Sequence, residues 1–317
     1  MRLVFFARLP FLEKQLTQLL GAESDVDLTV VHNVAEFAAA LPGADGLVMV
    51  DITPEMVPEM RALLHAPTTT LRWIHVISAG RDGFDACEVP ATVAITSASG
   101  AHSPVLGETI MAYILAFARR IPEFARATAE HKWDRDVVAT MTSVEQKTLA
   151  IVGLGYAGRE CAKRARPFGM KIIAATRTPK DEPLVDEVYP LTQLREVLAR
   201  ADYIALTIAQ SPSTYHLIGA EELAACKPSA YLVNMARGGI VDQLAVVDAL
   251  KSGTIAGYGT DVTDPEPLPA DHPLWSAPNT IISPHCAGGS SPLSQQRLAG
   301  RVMENLAKFR SGALHPA

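Results

Sequence analysis

Apolar and polar positions alternate along the N-terminal third of the chain in two different periods. Short apolar runs bounded by polar or turn-forming residues predict strands at 3–7, 28–32, 46–50, 73–78 and 93–96. Apolar positions at helical spacing predict helices between them, at 13–20, 34–41 and 54–64. Strands that alternate with helices are typical of a parallel sheet with helices on its faces, so this third is expected to form an α/β domain of its own.

The same alternation returns after position 148. Apolar runs predict strands at 149–152, 170–175, 202–208, 230–234, 255–259 and 280–283. Helices are expected at 191–200, 220–225 and 243–251, and a last helical stretch at 292–309 has no strand after it. That last helix should pack back on the first domain. The predicted domains are therefore 1–98 with 289–317, expected to bind substrate, and 99–288, expected to bind a dinucleotide.

Between these two regions, Ser103-Pro104 is a good helix start, and the helix should run to about residue 120. From 110 to 118 it is apolar on nearly all sides, with Tyr113 supplying the only polar side-chain atom. A helix without a solvated face must be covered on both sides. A subunit interface would supply that cover and make the protein a homodimer; a deeply buried core helix is the alternative.

Composition excludes several classes of protein. The 317 residues are 48% hydrophobic and 20% charged, with a formal net charge of -6, so neither nucleic acid nor an anionic membrane is an expected partner. No signal peptide or membrane span is predicted. The four cysteines show no C-x-x-C pair and no ligand-like spacing with histidines, which predicts free thiols in the cytoplasm and no metal site. Cys286 could serve as a nucleophile, but a small core or pocket residue is the favoured interpretation.

The strand at 149–152 leads into Gly153-Leu154-Gly155-Tyr156-Ala157-Gly158 and then a helical stretch. In such a strand, turn and helix the first glycine allows a tight turn, the second lets a pyrophosphate approach, and the third lets helix and strand pack closely. The helix N-terminus then presents free N–H groups to the phosphates. This context predicts a dinucleotide site, against the alternative of an ordinary tight turn.

Three residues further along form a possible catalytic set. They are Arg237, Glu266 and His285. Arginine is a permanent cation whose planar fork suits a carboxylate, and histidine backed by glutamate can transfer a proton near neutral pH. Together they suit a 2-keto or 2-hydroxy acid. Each could instead be structural: a helix-capping arginine, a solvated loop glutamate or a satisfied core histidine.

Several segments at fixed spacing carry a family resemblance. They are Asn234-Met235-Ala236-Arg237-Gly238-Gly239, Glu266-Pro267-Leu268, His272-Pro273-Leu274-Trp275 and Ser283-Pro284-His285-Cys286-Ala287-Gly288. Through them nearly the whole chain resembles the D-isomer-specific 2-hydroxyacid dehydrogenases. The resemblance implies an α/β fold of two Rossmann-like or flavodoxin-like doubly wound parallel-sheet domains, with the active site in the cleft between them. It also implies a nicotinamide cofactor on the second domain and a homodimer.

The resemblance further implies a role for individual residues. Arg237 would bind the substrate carboxylate, His285 would be the acid/base, Glu266 would orient its imidazole, and the amides of Ala79, Gly80 and Arg81 would bind the carboxylate. The implied cofactor site comprises Gly153, Gly155, Tyr156, Ala157, Gly158, Thr176, Arg177, Thr178, Lys180, Thr207, Thr214, Met235, Ala236, Arg237, Asp261, His285, Ala287 and Gly288. Asp261 matches the residue that binds the nicotinamide amide.

The chain departs from the family pattern at three places. Members that use NAD usually have an acidic residue at the end of the second strand, but here Thr176-Arg177 follows it, which favours a 2′-phosphate and predicts NADP(H), with NAD(H) as an alternative. Arg177 could also be a solvated cation. Thr207-Ile208-Ala209-Gln210 occupies a place where the family often has a histidine and a proline beside the cofactor, and Arg81 lies where it usually has a small or aliphatic residue.

These observations predict a reductase of small 2-keto acids, of the glyoxylate or hydroxypyruvate type, that forms the D-2-hydroxy acid. Two alternatives stay open: a dinucleotide-sensing regulatory protein of the same fold, and a phosphite-type dehydrogenase. Formate-oxidising members have glutamine where Glu266 stands, which argues against formate as the substrate.

Overall fold

The computed structural model describes residues 1–8, 10–78, 80–289 and 291–314, with the backbone only at Phe11. The chain divides into two compact units. The first contains the described residues of Met1–His102 and Ser290–Ala317, and the second is Ser103–Gly289. Each unit is built on one parallel sheet, which confirms the predicted α/β class with two doubly wound sheets.

The N-terminal segment folds as β1 (Arg2–Phe6), α1 (Pro10–Gly21), β2 (Asp27–Val31), α2 (Val34–Ala40), β3 (Gly46–Met49), α3 (Val57–Leu64), β4 (Trp73–Val76), α4 (Asp82–Asp85) and β5 (Ala94–Ser97). The second unit starts with α5 (Ser103–Ala118), α6 (Ile121–Ala129), β6 (Thr148–Val152), α7 (Tyr156–Ala165), β7 (Lys171–Thr176) and β8 (Glu187–Pro190). It continues with α8 (Leu194–Arg200), β9 (Tyr203–Leu206), α9 (Ala220–Ala224), β10 (Tyr231–Asn234), α10 (Gln243–Ser252), β11 (Gly257–Thr260) and β12 (Thr280–Ile282). The last helix is α11 (Pro292–Arg310).

In the first unit the described strands pair in the order β2-β1-β3-β4-β5. Its inner strands are apolar runs because both faces of the sheet are covered. Leucines of α1 and α11, such as Leu16 and Leu298, pack on one face. Phe37 of α2 and Met60 of α3 pack on the other. The C-terminal helix α11 therefore belongs to the core of the first unit.

In the second unit the described strands pair in the order β12-β11-β10-β9-β6-β7-β8. Helices α5 and α7 cover one face, where Ile114 and Cys161 are buried. Helices α8, α9 and α10 cover the other, where Val197 and Val246 are buried. The order of strands reverses between β6 and β9, and in such sheets the ligand lies outside the carboxyl ends of the strands at that point.

Three elements were absent from the sequence prediction: α4, α6 and β8. Strand β8 was missed because its residues are all partly exposed and make no apolar run. It forms through pairing with β7 and through ion pairs of Glu187 with Lys171 and Arg200. Two predicted strands were also too long: β4 ends at Val76 and β9 at Leu206, where the chain leaves the sheet.

Within the described part of the chain, none of the helices combines the length and the apolar character that crossing a membrane requires.

Candidate active site

The glycine turn between β6 and α7 has three glycines in three different environments. Gly153 has a φ of 98°, and a Cβ there would lie 2.5 Å from Ile208 Cα. A Cβ on Gly158 would collide with the carbonyl oxygen of Gly153. A Cβ on Gly155, the N-cap of α7, would meet nothing within 4 Å. The first and third glycines therefore pack closely against neighbouring backbone, while the space beside the second is empty. That empty space at the N-terminus of α7 fits a pyrophosphate.

The turn after β7 is exposed and basic. Thr176 ends the strand and is half-buried, while Arg177, Thr178 and Lys180 are exposed. Neither Arg177 nor Lys180 has an ion-pair or hydrogen-bond partner among the residues that the structure describes. The nearby carboxylate of Glu182 pairs with Arg159 at 2.6 Å. Two cations without an ion-pair partner among the described residues thus follow the end of β7.

Two threonines expected at the cofactor bind the backbone of their own surroundings. The Thr207 hydroxyl donates to the carbonyl of Gly153 and so ties the end of β9 to the glycine turn. The Thr214 hydroxyl donates to Ala209 O at 2.9 Å and accepts from Ser211 N at 2.7 Å. Both side chains shape loops at the carboxyl ends of the strands, and their contacts with the cofactor stay predictions.

His285 and Glu266 form a hydrogen-bonded pair on the loops that follow β12 and β11. His285 Nδ1 donates to Glu266 Oε2 at 2.8 Å, and Glu266 Oε1 accepts from the backbone N–H of Thr263 at 3.0 Å. Because Nδ1 is bound to the carboxylate, Nε2 is the ring nitrogen left to exchange a proton with a ligand. The His285 side chain is 50% exposed in this structure.

The pair alters the pKa of both groups. The hydrogen bond that His285 donates to Glu266 raises the pKa of His285 above its ordinary value of 6.5, and partial burial only partly opposes this. For Glu266, burial alone would raise the pKa, but the hydrogen bonds from His285 and Thr263 outweigh burial and lower it. The imidazole therefore stays protonated to a higher pH than a free histidine, as a general acid requires.

Arg237 follows β10 and lies beside this pair. Its positive charge opposes protonation of His285 and favours ionisation of Glu266. The buried side chain of Asn234 orders the preceding turn, because it donates to Arg237 O at 2.9 Å and accepts from Ala236 N at 3.1 Å. Met235 and Ala236 are both buried. The next residue, Gly238, packs so closely on the backbone of Thr263 that a Cβ would collide with it.

Asp261 binds the loop that contains His285. Its carboxylate accepts hydrogen bonds from the N–H groups of Cys286 and Ala287, each at 2.8 Å, and from the Ser283 hydroxyl. Its backbone carbonyl accepts from His285 N at 2.7 Å. The residue predicted to bind the nicotinamide amide is thus 3% exposed and already bound to its own unit. Its contact with the cofactor stays a prediction.

The second unit thus brings Arg237, Glu266 and His285 together. A pocket of about 370 Å³ lies over Asp261, Thr263, Glu266, Leu268, Ser283 and His285. Sequence analysis singled out neither Ser283 nor Tyr113 as part of this site, although the Tyr113 hydroxyl donates to Ser283 Oγ at 2.7 Å. Ala287 is buried and Gly288 is half-buried at the end of the same loop.

The predicted substrate loop belongs to the first unit, and Ala79 lies outside the described residues. Gly80 is half-buried, and Arg81 Nε pairs with Asp85 at 3.2 Å. Asp51, which the sequence analysis did not single out, orders the short helix α4 after this loop, because its carboxylate accepts from Phe84 N at 2.8 Å. The role of Ala79, Gly80 and Arg81 in substrate binding stays a prediction.

Comparisons with known proteins identify the family. Residues 111–287 match the model of the D-isomer specific 2-hydroxyacid dehydrogenase, NAD binding domain. A glyoxylate reductase from Korarchaeum cryptofilum is 36% identical over 253 residues, which cover 78% of this chain and 75% of that protein. Glyoxylate/hydroxypyruvate reductase B from Yersinia pestis is 32% identical over 307 residues, which cover 96% of this chain and 92% of that protein.

A solved structure of the same family is similar to this chain over nearly its whole length. The D-isomer specific 2-hydroxyacid dehydrogenase from Xanthobacter autotrophicus Py2, in complex with NADPH and MES, aligns with a TM-score of 0.80 at 25% identity, covering 98% of this chain and 95% of that chain. The matched NAD binding domain lies within the second unit. The chain therefore belongs to the D-isomer-specific 2-hydroxyacid dehydrogenases, oxidoreductases that use a nicotinamide dinucleotide.

Proposed function

We propose that this enzyme reduces a small 2-keto acid of the glyoxylate or hydroxypyruvate type to the D-2-hydroxy acid. The observation that supports this most strongly is the His285–Glu266 hydrogen bond of 2.8 Å beside Arg237. It combines a proton donor with a cation suited to a carboxylate. The names of the relatives from Korarchaeum and Yersinia favour glyoxylate and hydroxypyruvate over larger keto acids.

Each of the three residues has one task in this proposal. When bound, the nicotinamide supplies a hydride to the keto carbon. Arg237 binds the substrate carboxylate and polarises the adjacent carbonyl. His285 donates the proton on Nε2 to the keto oxygen, and Glu266 stabilises the imidazolium and fixes the plane of the ring. A regulatory protein of the same fold would bind the dinucleotide without turnover.

We infer further that NADP(H) is the preferred cofactor and NAD(H) the poorer one. Arg177 and Lys180 are exposed at the end of β7 and have no partner among the described residues, so both are available to a 2′-phosphate. A charge-assisted hydrogen bond from arginine to phosphate is among the stronger polar contacts in proteins. A carboxylate that would accept a hydrogen bond from a free ribose hydroxyl is absent, because the position is Thr176.

A homodimer is the third part of the proposal. Large apolar side chains are exposed on the second unit, among them Ile121, Trp133 and Phe168, which are 53%, 92% and 42% exposed. Phe168 also lines an apolar groove along α5 with Leu115. An exposed apolar groove such as this one is a candidate for the interface between two chains. The four cysteines are free thiols, which suits the reducing cytoplasm where we place the enzyme.

Replacement of the proton donor tests the proposed reaction. His285→Ala should lower kcat for glyoxylate or hydroxypyruvate by about 10²- to 10⁴-fold, the usual contribution of a positioned acid, with little change in cofactor affinity. Initial rates with glyoxylate, hydroxypyruvate, pyruvate and phenylpyruvate measure both the loss and the substrate range. Wild-type turnover in the variant would remove His285 from the mechanism.

Glu266→Gln tests the electrostatic role of the pair. Reduction needs the protonated imidazole, so kcat/KM should be high at low pH and fall as the pH rises through the pKa of His285, which lies above 6.5 in the wild type. Without the carboxylate that pKa drops, and the falling limb should move to lower pH. Glu196→Gln, on the exposed face of α8, removes an equal charge and should leave the profile unchanged. An unshifted limb in Glu266→Gln would contradict the assignment.

Arg177→Ala tests the cofactor preference. It should lower kcat/KM for NADPH by about tenfold, the equivalent of one charge-assisted hydrogen bond, and leave NADH almost unaffected. Lys180 can bind the same phosphate, so the single change removes only part of the preference. Lys251→Ala, an exposed cation in the last turn of α10, is the matched control. Equal losses with both cofactors, or a wild-type preference for NADH, would show that Arg177 is only a solvated cation.

Light scattering tests the homodimer. The chain mass is 34.0 kDa, and we expect twice that mass at micromolar concentration. Trp133→Ser should weaken the association if the exposed indole is buried in the interface. A wild-type mass equal to one chain would contradict the dimer.

A further inference from the structure

Helix α5 touches the His285 loop on both sides of the histidine. Thr109 Oγ1 shares its proton between Ala287 O and Val105 O, each at 3.1 Å, and the Tyr113 hydroxyl donates to Ser283 Oγ at 2.7 Å. Thr109 and Tyr113 are four residues apart and so lie on one face of the helix. The two contacts fall two positions after and two positions before His285.

The direction of the hydrogen bonds is fixed by the number of protons available. Asp261, when ionised, can only accept, so the single proton of the Ser283 hydroxyl goes to its carboxylate. Ser283 must then accept from Tyr113, whose hydroxyl proton completes the chain. Burial raises the pKa of Tyr113, so this hydroxyl stays protonated. The result is an ordered series from Tyr113 through Ser283 to Asp261.

The backbone of His285 requires such support. Its φ is 50°, in the left-handed region, which costs roughly 1–2 kcal/mol for a residue with a side chain. Residues persist in such conformations when their surroundings over-determine them. Asp261 accepts these hydrogen bonds: its backbone carbonyl accepts from His285 N, and its carboxylate accepts from the two following N–H groups. Ser283 orients that carboxylate.

The Tyr113 ring is itself held in one place. A Cβ on Gly259 of β11 would collide with the Tyr113 ring, so the absence of a side chain at this glycine leaves space for the ring. The side chain is 9% exposed and packs with Ile110, Ile114 and Phe117 in the core between α5 and the sheet. A phenylalanine would keep this packing and lose only the hydroxyl.

We propose that Tyr113 is a positioning residue for proton transfer, acting through Ser283 and Asp261 to fix the His285 loop in its left-handed conformation. The proposal rests on the assignment of His285 as the proton donor. Tyr113 touches neither ring nitrogen, so its effect is confined to the geometry in which His285 meets the keto oxygen. Small errors in that geometry lower the rate of transfer more than they lower binding.

The first measurement compares two variants that each lose one tyrosine hydroxyl, Tyr113→Phe and Tyr203→Phe. Tyr113→Phe should lower kcat for hydroxypyruvate reduction by about tenfold, a part of what a positioned acid contributes, with KM for NADPH near the wild-type value. The solvent deuterium isotope effect on kcat should rise because proton transfer becomes slower. Tyr203→Phe is the control: this tyrosine is buried in the same core, and its hydroxyl has no hydrogen bond among the described residues. It should leave kcat and the isotope effect unchanged.

A purely structural role for Tyr113 gives a different result. It would lower the melting temperature of Tyr113→Phe but not of Tyr203→Phe, and would leave kcat and the isotope effect of folded Tyr113→Phe at wild-type values; in that case the proposal would be wrong. The serine supplies a second comparison. Ser283→Ala should lose activity at least as far as Tyr113→Phe, and Ser283→Thr, which keeps the hydroxyl, should recover most of it.

A double-mutant cycle separates this proposal from the assignment of His285. In the His285→Ala background, Tyr113→Phe should have no further effect on the residual rate, because there is no imidazole left to position. An equal loss in both backgrounds would overturn the role of Tyr113 and leave His285 as the acid. Full turnover in His285→Ala alone would overturn both.

Discussion

The buried carboxylate of Asp261 binds two backbone N–H groups and the Ser283 hydroxyl, and the conformation of the loop after β12 depends on these bonds. An ionised carboxylate loses its hydration on burial and must recover it as hydrogen bonds. At Asp261 the donors come from the residues around His285, so the hydrogen bonds of one buried residue hold the backbone on both sides of the histidine. Glu266 then binds Nδ1 of the His285 ring and leaves Nε2 to exchange a proton with a ligand.

The parallel sheet explains why these groups meet. Strands β10, β11 and β12 are neighbours, and their carboxyl ends lie at one edge of the sheet. Arg237 follows the first, Asp261 the second and His285 the third. The glycine turn follows β6 at the same edge, where the strand order reverses. The strand order of one sheet therefore places both the glycine turn and the acid/base pair at the same edge.

Local patterns were enough to predict the features that depend on short segments. Apolar runs predicted most strands, because strands covered on both faces have no polar alternation. The glycine spacing predicted the turn after β6, and in the structure its first and third glycines are crowded. Strand β8 was not predicted, because it depends on pairing with β7 and on the ion pairs of Glu187. The link from Tyr113 to Ser283 spans 170 positions, and no local pattern indicates it. In the sequence, Tyr113 is recognisable only as part of an apolar helix.

We infer that Glu266, together with the loop ordered by Asp261, makes His285 an acid near neutral pH. An NMR titration of the imidazole nitrogens tests it without reference to turnover, with His285 assigned among the nine histidines by its loss in His285→Ala. We expect the midpoint of His285 to lie above 6.5 and its Nδ1 proton to stay bound to a carboxylate across the titration. A His285 midpoint at or below 6.5 would contradict it.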